Sequence, residues 1–247
     1  MSVNPIFQRL ALITGEDALE RFAGSSAIVF GAGGVGSWCA EALVRCGIGR
    51  IAIVDHDTVC ESNINRQIQA TTLTVGMPKA DVLKKRFLEI NPQCDVIVWN
   101  EMFNRHNAHI FGIEKSDYVI DAIDSISCKL DLIEAAGAGA DGGLKFFSSM
   151  GMARKSDPSR IKVASIWETK GCPLARAVRQ GLRKRGFSKS FTVVYSDESL
   201  PAYEEAAFVP GKKTVNGSAV PVTASAGMFL AGLVLRDICD NAGAGAL

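Results

Sequence analysis

Ser26-Ala-Ile-Val-Phe-Gly31-Ala-Gly33-Gly34-Val-Gly36-Ser37 is the stretch whose reading decides the fold of this chain. Ala27 to Phe30 is a short apolar run stopped by a glycine-rich turn, which predicts a buried strand. Val35, Cys39, Ala42 and Cys46 then recur at helical spacing and give the next segment one apolar face. In a strand–turn–helix unit the glycines have separate jobs. Gly31 makes the tight turn, Gly33 lets backbone approach a phosphate, and Gly36 lets helix and strand pack closely, with Gly34 in the same loop. Free N–H groups and the positive dipole end at the helix start favour an anion. Alone, such a turn serves any nucleotide, and the residues downstream decide which.

Outward from the turn, Ile51 to Val54 is a second apolar strand, completing a βαβ unit with a parallel sheet and right-handed crossover. Strands at Val96–Trp99, Tyr118–Asp121 and Lys145–Ser148 alternate with helical patterns beginning at Pro78, Asn104 and Ser127. This predicts an α/β fold, a Rossmann-like doubly wound, mostly parallel sheet over residues 26–150. Residues 1–25 read as an N-terminal helical arm, and 151–247 as a C-terminal α/β extension continuous with the same domain. The extension has a strand at Ile161–Ile166, a basic helix at Pro173–Arg185, a β-type run at Ser190–Tyr195 and a long mobile loop over 196–218. Ala219 to Val234 is apolar but falls short of the roughly 20 residues of a membrane span, so it reads as a buried helix.

Composition sets the limits. With 247 residues, 47% hydrophobic and 21% charged, the chain can bury a sizeable core. A net charge of +1 confines any nucleic-acid contact to a local patch. Seven cysteines without a C-x-x-C pair fit a reducing, cytoplasmic compartment and speak against a disulfide framework or a four-cysteine zinc site. No basic-then-apolar leader precedes the first strand. Cys39, Cys46 and Cys239 lie on apolar faces, and His56, His106 and His109 have no metal-like partners in the sequence.

Asp55 ends the second strand where a carboxylate accepts from ribose hydroxyls, which suits an NAD enzyme and a nucleotide-activating enzyme equally. The segment Asp55-His56-Asp57-Thr58-Val59-Cys60-Glu61-Ser62-Asn63-Ile64-Asn65-Arg66-Gln67 separates them. Dinucleotide binding has no use for Asn63-x-x-Arg66 beside the ribose acid, whereas a triphosphate needs charge-matched donors there. Lys79 adds a second cation. Asp121 and Asp124 follow the fourth strand, facing the ligand crevice, and one of them could hold magnesium. Asp121 reads as the structural one of the pair.

These motifs, in this order, resemble the ubiquitin-activating-enzyme-like (ThiF/MoeB-like) superfamily. That resemblance implies binding of ATP with Mg2+ and adenylation of a carboxylate. It implies Asp55 on the ribose, Asn63, Arg66 and Lys79 on the phosphates beside Asp57 and Gln67, and Asp124 on magnesium. It also implies that Arg9, on the arm, reaches the ATP of the partner subunit in a homodimer. Gly36-Ser37-Trp38, Cys46-Gly47-Ile48-Gly49-Arg50, Asp121-Ala-Ile-Asp124-Ser125, Asp157-Pro158-Ser-Arg-Ile161 and Pro173-Leu-Ala-Arg176 are similar to the tRNA threonylcarbamoyladenosine dehydratases within it. The expected reaction is then ATP-dependent closure of a modified tRNA nucleoside to a cyclic hydantoin, with a tRNA substrate. The likeness allows a monovalent cation and sulfur-transfer partners such as a cysteine desulfurase. It implies no zinc and no membrane.

Arg176, Arg179 and Arg183 share one face of the basic helix and are the candidate tRNA-phosphate contacts. Cys172, at that helix start, is a weaker candidate for thiol chemistry. A sulfur-carrier adenylyltransferase, an NAD oxidoreductase and a non-catalytic nucleotide sensor are the competing readings.

Overall fold

The computed structural model describes residues 4–137, 144–199 and 216–241. β1 (Ser26–Phe30) is an interior strand of the sheet, and its side chains alternate between two cores. Ala27 and Val29 join one cluster, while Ile28 and Phe30 join the cluster on the opposite face. On the first face lie α3 (Gly36–Arg45), α4 (Lys79–Ile90) and α7 (Val220–Asn241), supplying Leu43, Leu83, Phe87, Leu230 and Val234. On the other lies α5 (Ile126–Gly137), with Cys128 and Leu132. Phe103 and Phe111 stand edge-on to Phe30 at centroid distances of 4.9 and 5.7 Å and complete that core.

Around β1 the sheet continues as β2 (Arg50–Val54), β3 (Asp95–Trp99), β4 (Tyr118–Asp121), β5 (Lys145–Ser149), β6 (Ile161–Ser165) and β7 (Thr192–Ser196), in the order β3-β2-β1-β4-β5-β7-β6. Neighbours are parallel except β6 and β7. The expected doubly wound, mostly parallel sheet is therefore present. Strand order reverses direction between β1 and β4, and the crevice outside their C-terminal ends is where such sheets bind ligands. α6 (Pro173–Lys184) packs against α5 through Ala175, Val178 and Leu182. The arm contains α1 (Gln8–Thr14) and α2 (Glu16–Gly24), anchored by Ala18 and Phe22.

Three local expectations change. Pro78 caps α4 instead of opening it, because its ψ of 131° is extended and it bridges Thr58, so Lys79 is the first helical residue. Asn104–Gly112 forms turns and one 3-10 turn (Ala108–Ile110) rather than a helix. There the Asn104 carboxamide accepts from His106 N at 2.9 Å and that of Asn107 from Asn104 N at 2.8 Å, diverting backbone amides from a helical ladder. The third change is the final helix, which runs 22 residues, long and apolar enough to cross a membrane by length and composition. It is packed along α3, with Val222, Ala226, Leu230 and Val234 fully buried, so the expected burial holds. The 196–218 segment begins inside β7 with Ser196, and its residues 200–215 lie outside the described residues.

A Cβ added at Gly227 of α7 would stand 2.5 Å from Val35 O and 2.9 Å from Cys39 N. Alanine adds about 1 kcal/mol of helix propensity over glycine. Forcing two backbones apart costs about 1–3 kcal/mol. Gly227→Ala should therefore lower the melting temperature, as read by a thermal melt.

Candidate ATP-binding and adenylation site

The glycine turn is built by two close approaches. Gly31, at φ +93°, adopts a conformation L side chains rarely take, and a Cβ there would meet Ala122 O at 2.7 Å. A Cβ on Gly36 would lie 1.8 Å from Gly31 O, so α3 can begin here only with glycine. Gly33 differs, because a Cβ there meets nothing within 4 Å. It faces the open space of a cavity of about 750 Å3 at the switch point. Gly34 backs onto Thr223 of α7 and Arg66, with both at 3.2–3.3 Å from its Cβ position.

The candidate residues converge on that cavity. Gly31, Gly33, Gly34, Asp55, Asp57, Asn63, Arg66, Gln67, Lys79 and Asp124 all line it. Gly36 stands behind the turn. Asp55 Oδ2 accepts from Ala32 N at 2.6 Å and Oδ1 from Asp57 N at 2.8 Å. A carboxylate has further lone pairs, so it can still accept from a ribose. Asn63 Oδ1 accepts from Cys60 N at 3.1 Å, which holds the turn Glu61–Asn63 and leaves its amide at the cavity wall. Arg66 donates to Ser62 O at 2.6 Å, and Trp38 Nε1 donates to Arg66 O at 3.0 Å, tying the Arg66 loop to α3.

Lys79 is 5% exposed, with its ammonium 2.7 Å from Asp57 Oδ2. Partial burial pushes the Asp57 carboxyl up, but the Lys79 hydrogen bond and charge outweigh it and hold it below the usual carboxylate range. Asp124, by contrast, is exposed at the cavity wall, on the turn after β4. Oxygen donors of this kind suit magnesium. The residue order gives His56 no metal-like neighbours, yet ligating atoms of Asp55, His56 and Asp57 lie within 4.8 Å of one another. Backbone amides already engage Asp55 and an ammonium engages Asp57, so Asp124 is the better-disposed ligand for a cation.

The ThiF family model matches residues 7–241. The chain belongs to the ThiF family. It is 39% identical over 244 residues to the tRNA threonylcarbamoyladenosine dehydratase of Bacillus subtilis (strain 168), covering 95% of each chain. The structure of E. coli tRNA N6-threonylcarbamoyladenosine dehydratase in complex with ATP matches with a TM-score of 0.87 at 33% identity, covering 100% of both chains. The complex of that enzyme with AMP matches at 0.86 and 33%, covering 98% of this chain and 99% of that one.

In this ThiF-family chain other residues complete the cavity. Gly151 to Lys155, Leu174, Asn216, Ser218 and Thr223 bring the C-terminal half to it. Arg154 holds φ 60°, in the left-handed region, and its N–H donates to Gly217 O at 2.8 Å. Lys155 is buried and donates to Ser196 O and Glu198 O at 3.1 and 2.9 Å. Arg9 lies exposed on α1 and does not line the cavity of its own chain. Cys172 is buried beneath the cavity wall, its Sγ 3.9 Å from Gly151 O.

On the basic helix the three arginines diverge. Arg176 is exposed, Arg179 is partly buried and hydrogen-bonds Thr169, and Arg183 stacks over Trp167 with 5.5 Å to the ring centroid. The three therefore do not form one free face. Asp121 is fully buried, as its structural reading requires, against Lys129. Sequence reasoning passed over Lys129, although a lysine beside Cys128, Leu132 and Ile133 in an apolar helix signals a buried partner.

Gly33→Ala and Gly36→Ala should separate. The first should leave the thermal melt unchanged and weaken ATP binding by calorimetry about tenfold or more, about 1.4 kcal/mol. The second should disturb the turn itself and lower stability as well.

Proposed function

We propose that this chain is an ATP-dependent tRNA threonylcarbamoyladenosine dehydratase, acting as a cytoplasmic homodimer. The observation that carries the reading is the likeness, over the whole chain, to a dehydratase crystallised with ATP, with all but Gly36 of the candidate nucleotide-binding residues lining one cavity. The adenylyltransferase alternative needs the same ATP site. The dehydratase reading also accounts for the match beyond residue 150, where the two halves of the chain share the cavity.

A carboxylate is a poor electrophile because its leaving group would be oxide. In the proposed reaction the threonyl carboxylate attacks the α-phosphate of ATP, forming an O–P bond as the bond to pyrophosphate breaks. A nitrogen of the same modified base then attacks the activated carbonyl, AMP leaves, its proton is lost, and a cyclic hydantoin remains. The net change in the nucleoside is the loss of one water. Asp55 orients the ribose, while Asn63, Arg66 and Lys79 offset charge on the phosphates. Asp124 would hold magnesium, which supplies charge neutralisation on the phosphates when bound. Ring closure is intramolecular, so positioning supplies much of the rate and no protein nucleophile is needed. Burial of Cys172 outside the cavity wall accords with that. Arg9, exposed on the arm, would serve the site of the second copy.

The deciding experiment is incubation with ATP, magnesium and threonylcarbamoyl-modified tRNA, followed by nucleoside mass spectrometry. A mass lower by one water supports the reading, and an unchanged mass with active controls rejects it. Pyrophosphate exchange that requires a Gly-Gly-tailed carrier protein would point to the alternative. Asp124→Ala should abolish turnover with the thermal melt intact.

Arg176 and Arg183 are the proposed phosphate ligands. The double variant Arg176→Ala with Arg183→Ala should weaken tRNA binding. It should also flatten the salt dependence by about one unit of log–log slope for each phosphate no longer neutralised. Arg179→Ala should instead lower stability, since Arg179 is held by Thr169.

A further inference from the structure

Beneath the cavity wall that carries Asp124 lies a buried polar cluster. Asp121, the last residue of β4, and Lys129, on α5, are both 0% exposed. Lys129 Nζ donates to Asp121 Oδ2 at 2.7 Å, to Ser149 O at 3.0 Å and, more weakly, to Ser148 Oγ at 3.4 Å. Ser148 Oγ donates to Asp121 Oδ2 at 2.6 Å. The other carboxylate oxygen, Oδ1, accepts from Ile123 N at 3.1 Å.

Stability alone does not call for this arrangement. Burying two charges costs several kcal/mol per ion, and apolar residues of like volume commonly do as well or better. The surroundings are already apolar, with Cys128, Leu132 and Ile133 on the same helix. What distinguishes the cluster is where its bonds end. Ile123 immediately precedes Asp124, and Ser149 immediately precedes Met150, and all four residues line the cavity. A single ammonium thus joins the tip of β4 to the tip of β5. Its three acceptors add to the parallel ladder ending at Asp121 and Ser148, and to the Ser148–Asp121 hydrogen bond, a third tie that reaches past the ladder to Ser149.

We infer that Lys129 is a positioning residue, which acts through Asp121 to hold the turn that presents Asp124 to the phosphates and their cation. The inference rests on the proposed role of Asp124. Lys129 is fully buried and does not line the cavity, whereas the glycine turn, Asp55 and Lys79 do. Its loss therefore separates metal-dependent from metal-independent nucleotide binding.

Lys129→Met alone leaves a buried carboxylate without its partner and can fail to fold. The informative variant is Asp121→Asn with Lys129→Met, which removes both charges at similar volume, and Ser148→Ala is a milder companion. ATP binding is measured by calorimetry in EDTA and in magnesium, together with thermal melts and turnover of modified tRNA. For the double variant the expected result is a melting temperature near that of the parent and unchanged ATP affinity in EDTA. The magnesium-dependent gain in affinity should be lost, and kcat should fall about a hundredfold with KM for tRNA unchanged. Ser148→Ala should shift magnesium half-saturation upward in the same sense while folding normally. A folded double variant, or Ser148→Ala if the double does not fold, with parental magnesium dependence and kcat overturns the inference, as does activity falling only with the folded fraction. If the parent protein leaves modified tRNA unchanged, the proposed reaction fails, but the calorimetric comparison still decides the role of Lys129.

Discussion

The carbonyl oxygen of Gly31 occupies the space where any side chain at position 36 would begin, at 1.8 Å from an ideal Cβ. Everything on the nucleotide side of the molecule depends on that contact. It lets α3 start within the turn, which aims the first N–H groups of the helix at the crevice. It also brings α3 close enough to β1 for Cys39, Ala40 and Leu43 to share a core with Val29. The same tightness recurs one layer out, where Gly227 admits α7 against Val35 and Cys39. Two glycine contacts in series thus carry a C-terminal helix to the nucleotide cavity, where Thr223 backs Gly34. That is why a helix apolar enough for a membrane is a core element of this fold.

Two of the site's cations, Lys79 and Arg66, each have a counter-charge or an acceptor. A buried ammonium is costly unless paired, and Lys79 has Asp57, half exposed, at 2.7 Å. The pairing holds the Asp57 carboxyl below the usual carboxylate range, through the hydrogen bond and the charge of Lys79. Arg66 is likewise satisfied by Ser62 O. A triphosphate arriving in the cavity would therefore exchange partners with groups already ordered rather than recruit free side chains. Such an arrangement lowers the entropy lost on binding and keeps the donors aimed at where charge accumulates.

Much of this was legible in the residue order. β1, the glycine turn, Asp55 at the end of β2 and Asp124 after β4 are set by short-range pattern and by the rule that parallel strands present their C-terminal ends to the ligand. The features that were missed depend on partners distant in sequence or on side chains competing with the backbone. Asn104 and Asn107 have a helical composition around them, and only their capture of local amides shows why no regular helix forms. Arg179 and Arg183 share a helical face with Arg176 by spacing. The groups that engage them are Thr169 and Trp167, which a helical wheel does not contain. Lys129 has its acceptors on β4 and β5, and periodicity within α5 registers it only as a break in an apolar face.

The distribution of charge through the sheet follows from the same topology. At the ends of β4 and β5 the strands stop hydrogen-bonding to each other just where Asp121 pairs with Ser148, and the backbone beyond must be held by something else. On the β1 side that work is done by shape, through glycines that allow backbone to touch backbone. On the β4–β5 side it is done by charge, through an ammonium whose acceptors belong to both segments. Close backbone contact is rigid but gives the nucleotide only N–H groups and open space, which suits phosphates. A polar joint is directional and leaves the following turn free to carry an exposed carboxylate, which suits a cation. The two walls of the crevice are thus made by different physical means, one by close backbone contact and one by a buried ion pair.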